Sequence, residues 1–241
     1  MSRKIFFTKD KYGKDILTDS RNEHPVMMEM EKPYMEAMVN KLNPFGDVLE
    51  IGFGLGYSAN AIQEYDINTH TIIECDPTVL KRTYEWTKKQ KHEVIIVEGF
   101  WQEQLPLMNQ RFDSFFFDDY PVDNYPDSNN SRFFDFVDMI VQKNVNKNAR
   151  LTHFCSKKLP DELFSIVEPC HMVIEVESEE YDLPIPEDTF KHWSGENLYL
   201  SLFTFQTGSP IPTGRVPTAT DLLRASHGRV HAGASGDTWY E

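Results

Sequence analysis

The sequence predicts an α/β fold built on a mostly parallel sheet of seven strands, with an antiparallel pair at one edge. Three observations carry this expectation. Val48, Leu49 and Ile51 make a short buried strand that runs into Gly52, Gly54 and Gly56, and residues 57–64 follow with helical character. Strand, glycine turn and helix thus come in the order that a nucleotide-type ligand needs. Strand-like and helix-like runs then alternate from residue 48 to 167, which implies a parallel sheet covered on both faces. Two late strand-like runs, 171–176 and 197–205, have no helix between them and fit an antiparallel hairpin joined through the loop of Pro184 and Pro186.

Residues 1–30 have poor periodicity and read as a loop with one short helix; Met27, Met28 and Met30 gather there, able to wall a pocket or fill a core. Pro33 suits the first turn of a helix, and Tyr34, Met35, Met38, Val39 and Leu42 then share one face. Asn43-Pro44-Phe45-Gly46 ends that helix. Glu31 falls just outside the helix start, where the macrodipole favours a carboxylate. After strand 48–51 and helix 57–64, the expected elements are strand 71–74, helix 77–90, strand 93–97 and strand 112–117. Helix 131–142, strand 149–155 and helix 160–167 complete the alternation. Residues 208–241 hold 5 of the 12 glycines and 3 of the 14 prolines. They read as a flexible tail after a domain of residues 1–207.

Composition narrows the function. The 241 residues are enough for one large domain with a full core. With 24 basic against 38 acidic residues the net charge is −14, which repels nucleic-acid phosphates and suits a cationic or zwitterionic small molecule. Cys75, Cys155 and Cys170 are odd in number and widely spaced, so neither a disulfide framework nor a metal site is expected. No apolar run reaches the roughly 20 residues of a membrane span, and the start of the chain does not read as a secretory signal. A cytoplasmic protein without a membrane partner is the expectation; the sequence leaves the oligomeric state open.

The parallel sheet gathers candidate chemistry on one rim, because ligands of open α/β sheets lie beyond the strands' C-terminal ends. Glu74 stands at a strand end, twenty residues past Gly54, where an acid can grip ribose hydroxyls. A dinucleotide fingerprint would want a third glycine at the position of Tyr57, so NAD is disfavoured. Asp118-Asp119-Tyr120-Pro121 follows the buried run Phe115-Phe116-Phe117. Carboxylates there could pair with a guanidinium in bidentate fashion and take a proton from it; they could equally be a solvated turn. Trp101, after Gly99-Phe100, could cover an adenine ring or belong to the core.

These segments resemble a known family. Glu50-x-Gly52-x-Gly54-x-Gly56 looks like the first loop of methyltransferases that use S-adenosylmethionine (AdoMet). Val26-Met27-Met28-Glu29-Met30-Glu31-Lys32-Pro33-Tyr34-Met35, Ile72-Ile73-Glu74-Cys75 and Phe117-Asp118-Asp119-Tyr120-Pro121 are similar to guanidinoacetate N-methyltransferase. The fungal arginine δ-N-methyltransferases share that catalytic domain and are a second relative. The resemblance covers residues 12–206 and is densest over 26–121. It implies a Rossmann-like class I AdoMet-dependent methyltransferase fold, with residues 1–46 covering the substrate.

The resemblance also implies roles. Glu31 and Asp118 hold the guanidino group, and Asp118 accepts its proton. Glu50, Gly52, Phe53, Gly54 and Gly56, with Glu74, Cys75, Gly99, Phe100, Trp101, Asp118 and Tyr120, line the AdoMet site. Met35, Asp119, Tyr120 and Cys155 join Glu31 and Asp118 around the acceptor, a small guanidino or amine compound. Asp119 stands where the mammalian enzyme has threonine. Phe154-Cys155-Ser156-Lys157-Lys158 replaces the family's Asn-Leu-Thr segment, and the usual Pro-Gly-Gly before that strand is Asn146-Lys147-Asn148. These departures open the acceptor to other guanidino compounds, including arginine in a peptide or protein. An AdoMet-binding interaction module without turnover is the alternative from outside the enzymes.

Overall fold

The computed structural model describes residues 4–20, 25–120, 132–156, 158, 163–166, 172–183 and 197–207. The predicted joining loop of Pro184 and Pro186, Lys157, Cys170 and the tail 208–241 lie outside them.

The first departure from expectation is at the start. Residues predicted as a loop with a short helix form a three-stranded antiparallel sheet: β1 (Ile5–Lys9), β2 (Asp15–Asp19) and β3 (Pro25–Met28). Asp10 makes the first hairpin, its Oδ1 accepting from the backbone N–H groups of Tyr12 and Lys14, while Gly13 turns the chain at φ +79°. A 3-10 turn, Glu29–Glu31, leads into α1 (Lys32–Leu42). Asn43 stops α1 in the left-handed conformation, its N–H closing on Val39 O, as Asn does at a C-cap.

The main sheet follows with β4 (Gly46–Ile51), α2 (Tyr57–Ile62), β5 (Ile67–Glu74), α3 (Pro77–Thr87) and β6 (Glu93–Glu98). Asp76 caps α3 by accepting from Thr78 N and Val79 N. A short helix, α4 (Trp101–Gln104), precedes β7 (Phe112–Phe117), α5 (Arg132–Lys143) and β8 (Val145–His153). The helix expected over 160–167 is corrected: Leu163–Ile166 is a strand, β9, because it pairs antiparallel with β10 (Met172–Tyr181). β11 (Leu198–Thr207) pairs with β10 across its full length, which is the expected antiparallel hairpin.

The order across the sheet is β6-β5-β4-β7-β8-β11-β10-β9. β4 to β8 are parallel, β11 runs against β8, and β9 adds one edge strand to the seven expected. Alternation along the strands splits the core into two layers. Val48, Ile72, Phe116, Leu198 and Leu200 face α1, α2 and the N-terminal sheet. Leu49, Ile51, Ile73, Phe115, Phe117, Phe203 and Phe205 face the layer of α5 and the α4 region. Because the helices lie on the two faces, the C-terminal ends of the parallel strands stay open as a rim.

Candidate functional site

The rim is held together by backbone hydrogen bonds that continue the parallel ladder past the strand ends. Gly99 N donates to Glu74 O (2.9 Å), Gly52 N to Ile73 O (3.0 Å), Asp118 N to Ile51 O (3.2 Å) and Phe154 N to Phe117 O (3.2 Å). Four loops predicted from separate stretches of sequence therefore stand side by side.

Gly52 has to be glycine. Its φ is +80°, and a Cβ there would lie 2.5 Å from the carbonyl oxygen of Asp118. The close approach of these two backbones sets the glycine turn against the acidic turn. Gly54 is similarly confined, since a Cβ would meet the Met27 sulfur at 2.9 Å. Leu55 N donates to that sulfur at 3.2 Å, so β3 of the N-terminal sheet rests on the glycine turn. Met27 belongs to the core here, packed on the turn.

Glu74, buried at the end of β5, braces the turn from the next strand. Its Oε2 accepts from Phe53 N (2.9 Å), and its Oε1 accepts from Cys75 N and Asp76 N (both 2.8 Å). Burial pushes its carboxyl above the usual range while the three N–H partners pull it back. Oε2 keeps acceptor capacity beyond its one N–H donor. Phe53 contributes through its backbone, because its ring is 2 % exposed and packs edge-on to Trp86.

Glu50 is fully buried beneath the turn. Ser58 Oγ in α2 donates to Oε1, and His70 Nε2 lies 2.9 Å from Oε2. Gln63 Oε1 accepts from His92 N (3.0 Å), and Gln63 Nε2 lies 3.3 Å from His70 Nδ1. Sequence reasoning missed Ser58, Gln63 and His70; a histidine at an apolar position of β5 was the available signal.

The acidic pair lies beside the glycine turn, with Asp118 O against Gly52 and the charge of Asp118 felt by Glu31. Glu31 ends the 3-10 turn and is 6 % exposed, and its Oε1 accepts from Met28 N at 2.8 Å. Burial, and then the charge of Asp118, push its pKa up to about 8. Asp118, partly buried at the end of β7, is pushed up to about 7 by burial, then by the charges of Asp119 and Glu50. Burial and neighbouring acids thus hold both carboxyls toward their neutral forms.

Around them, Tyr34 ties α1 to the rim. Its hydroxyl donates to Tyr199 O (2.7 Å) and accepts from Cys155 N (3.2 Å). Met35 is fully buried and Cys155 nearly so; Lys158, at the other end of the departing segment, is exposed. Asp119 turns to the other side of Asp118. Its Oδ2 accepts from Trp101 Nε1 (2.8 Å) and from Arg132 Nε (2.6 Å). Trp101 packs in the core against Phe117 and Phe136. Gly99, Phe100, Cys75 and Tyr120 are partly buried on the rim. Among the described residues no three His, Cys, Asp or Glu side chains group as a metal site.

A parallel sheet ending in an antiparallel pair, with a glycine turn and acids on its rim, is the architecture of the class I methyltransferases. A Thermotoga maritima spermidine synthase superposes with a TM-score of 0.55 at 12 % identity, covering 93 % of this chain and 80 % of that one. A phosphoethanolamine N-methyltransferase of Haemonchus contortus, solved with phosphoethanolamine and S-adenosylhomocysteine, has a TM-score of 0.55 at 10 % identity, covering 83 % and 47 %. At such identities the likeness is one of fold.

Residues 15–165 match the sequence model of guanidinoacetate N-methyltransferase. The match spans more than half of the chain, and the chain belongs to that family. Curated relatives called protein arginine N-methyltransferase 2 are also similar to it. The one from Candida glabrata is 35 % identical over 143 residues, 56 % of this chain and 33 % of the relative. The one from Kluyveromyces lactis is 33 % identical over 139 residues, 54 % and 33 %. The chain thus spans about a third of the length of these relatives.

Proposed function

We propose that this chain is an AdoMet-dependent N-methyltransferase whose acceptor is a guanidino group. The observation that carries the reading is the pair Glu31 and Asp118, two neighbouring acids raised to about 8 and about 7 beside the glycine turn, the first in part by the charge of the second. A guanidinium between them lowers both pKa values by supplying the opposite charge, and its planar N–H fork matches carboxylate oxygens. When bound, AdoMet supplies an electrophilic methyl group. The residues that would hold it are the Gly52–Gly56 turn, Glu74 through Oε2, and the rim around Cys75 and Phe100. The residues fit: Gly52, Gly54 and Gly56 hold the turn at positive φ, and Glu74 Oε2 has acceptor capacity for a hydroxyl.

Glu31 would orient the acceptor, and Asp118 would take the proton that a guanidino nitrogen gives up as it bonds to carbon. Free guanidinium has a pKa above 12, so this transfer is coupled to attack instead of preceding it. Residues 1–207 would act as one catalytic domain. Met27 against the glycine turn and Glu31 beside Asp118 support a covering role for residues 1–46.

Two acceptors fit. A small guanidino acid follows from the family's description. Arginine in a peptide or protein is favoured by what the fungal relatives are called. Calorimetry with AdoMet and NAD tests the cofactor; NAD binding without AdoMet binding would end the reading. Labelled AdoMet with guanidino acids, amines and arginine peptides then tests the acceptor, with label expected on a guanidino nitrogen.

A further inference from the structure

Asp119 and Arg132 form an ion pair that the proposed chemistry does not use. Both Nε and Nη2 of Arg132 lie 2.6 Å from Asp119 Oδ2, the same oxygen that accepts from Trp101 Nε1 at 2.8 Å. The two side chains are 18 % and 11 % exposed, so water screens the pair poorly and breaking it would strand a charge. The cluster joins three elements: α4 through Trp101, the end of β7 through Asp119, and the first turn of α5 through Arg132. The next residue, Phe133, stacks on His153 at the end of β8, with ring centroids 3.7 Å apart. The first turn of α5 is thereby fixed to the ends of both β7 and β8.

We propose that Arg132 is a positioning residue for the acceptor site: it pins Asp119 against Trp101 and balances that carboxylate, so that Asp118 is the member of the Asp118–Asp119 pair that answers the acceptor. The inference rests on the guanidino-methylation reading and says how two adjacent acids are given different tasks. The charged groups that raise Asp118 are acids, Asp119 from its own strand end and Glu50 from β4; Asp118 in turn raises Glu31 in the 3-10 turn and Tyr34 in α1. Asp119 is one of the charges that hold the Asp118 carboxyl up. Arg132 offsets that charge without approaching the acceptor itself. A lysine could supply the charge but not the two-pronged hold.

The test reads Asp118 directly, by carboxyl NMR titration of protein labelled with 13C-aspartate and assigned with Asp118→Asn. Arg132→Gln is expected to raise the Asp118 midpoint by about one pH unit. Asp119→Asn is expected to lower it, and the double variant Asp119→Asn/Arg132→Gln to return it toward the parent value. Arg132→Lys should keep the midpoint and lose turnover by roughly 10-fold or more through misplacement. A folded Arg132→Gln with an unmoved Asp118 midpoint overturns the proposal, as does a double variant shifted as far as the single one. If Arg132→Gln does not fold, an unmoved midpoint in Asp119→Asn overturns it. The titration needs no turnover. Absence of guanidino methylation by the parent protein would refute the functional reading and leave the titration result standing.

Discussion

At the scale of single residues, Glu31 and Asp118 make opposite demands on stability and function. Their folded pKa values, about 8 and about 7, lie above the ordinary 4.5 and 3.8. The folded state therefore binds more protons than the unfolded chain between about pH 4 and pH 8. Stability from these groups is greatest below that window and falls as pH rises through it. Glu31→Gln keeps an acceptor for Met28 N–H and removes the buried charge. It should raise Tm by several degrees at pH 8.5 and by much less at pH 5; a shift that is equal at both pH values would contradict the assignment. The same numbers predict that a cationic acceptor binds more tightly as pH rises from 6 to 8, with proton release measurable by calorimetry in buffers of different ionisation enthalpy. Gly52→Ala should cost about 2 kcal/mol or more in urea denaturation, because a left-handed residue gains a Cβ that meets Asp118 O.

At the scale of elements, capping and pairing decide what the sequence could disclose. Asp76→Ala removes the acceptor of Thr78 N and Val79 N at the start of α3 and should cost about 1 kcal/mol. The check is the urea midpoint, and an unchanged one would show that α3 does not depend on this cap. The strand of β7 and the helices α1 and α5 were legible because each carries its own periodicity and stop signals. The N-terminal sheet was not legible, because β1 buries only Ile5 and β3 is built from Pro25, Val26, Met27 and Met28, whose contacts are tertiary. Its one local signal was Asp10 with Gly13 between two short runs. β9 was misread as a helix because what makes it a strand is its antiparallel pairing with β10, which its own four residues do not announce. At the site, Glu74, Asp118 and the glycines could be found from type and spacing, whereas Glu31 read only as a helix-start acid and was drawn into the site by the family resemblance. That Asp119 turns to Trp101 and Arg132, or that Phe53 points inward, depends on three-dimensional neighbours that spacing does not encode.

At the scale of the whole molecule, the charge of −14 acts on encounter, since fold and site are already set by packing. A cationic acceptor should be drawn to this surface, so its KM should rise several-fold between low salt and about 0.5 M salt, where the screening length falls to a few ångströms. A KM indifferent to salt would mean that the acceptor is held by local contacts alone. No helix among the described residues is long and apolar enough to cross a membrane. The two layers of core, the rim they leave open and the acids on that rim converge on one claim, that Asp118 takes the proton of a guanidino acceptor beside a glycine turn that holds AdoMet. The most direct measurement is single-turnover transfer of a labelled methyl group to the guanidino acceptor, in the parent protein and in Asp118→Asn, with AdoMet binding followed in parallel. The account predicts a rate lower by ~10²-fold or more in the variant, with AdoMet affinity little changed. Undiminished transfer in Asp118→Asn, or transfer lost only in proportion to lost AdoMet binding, would contradict it.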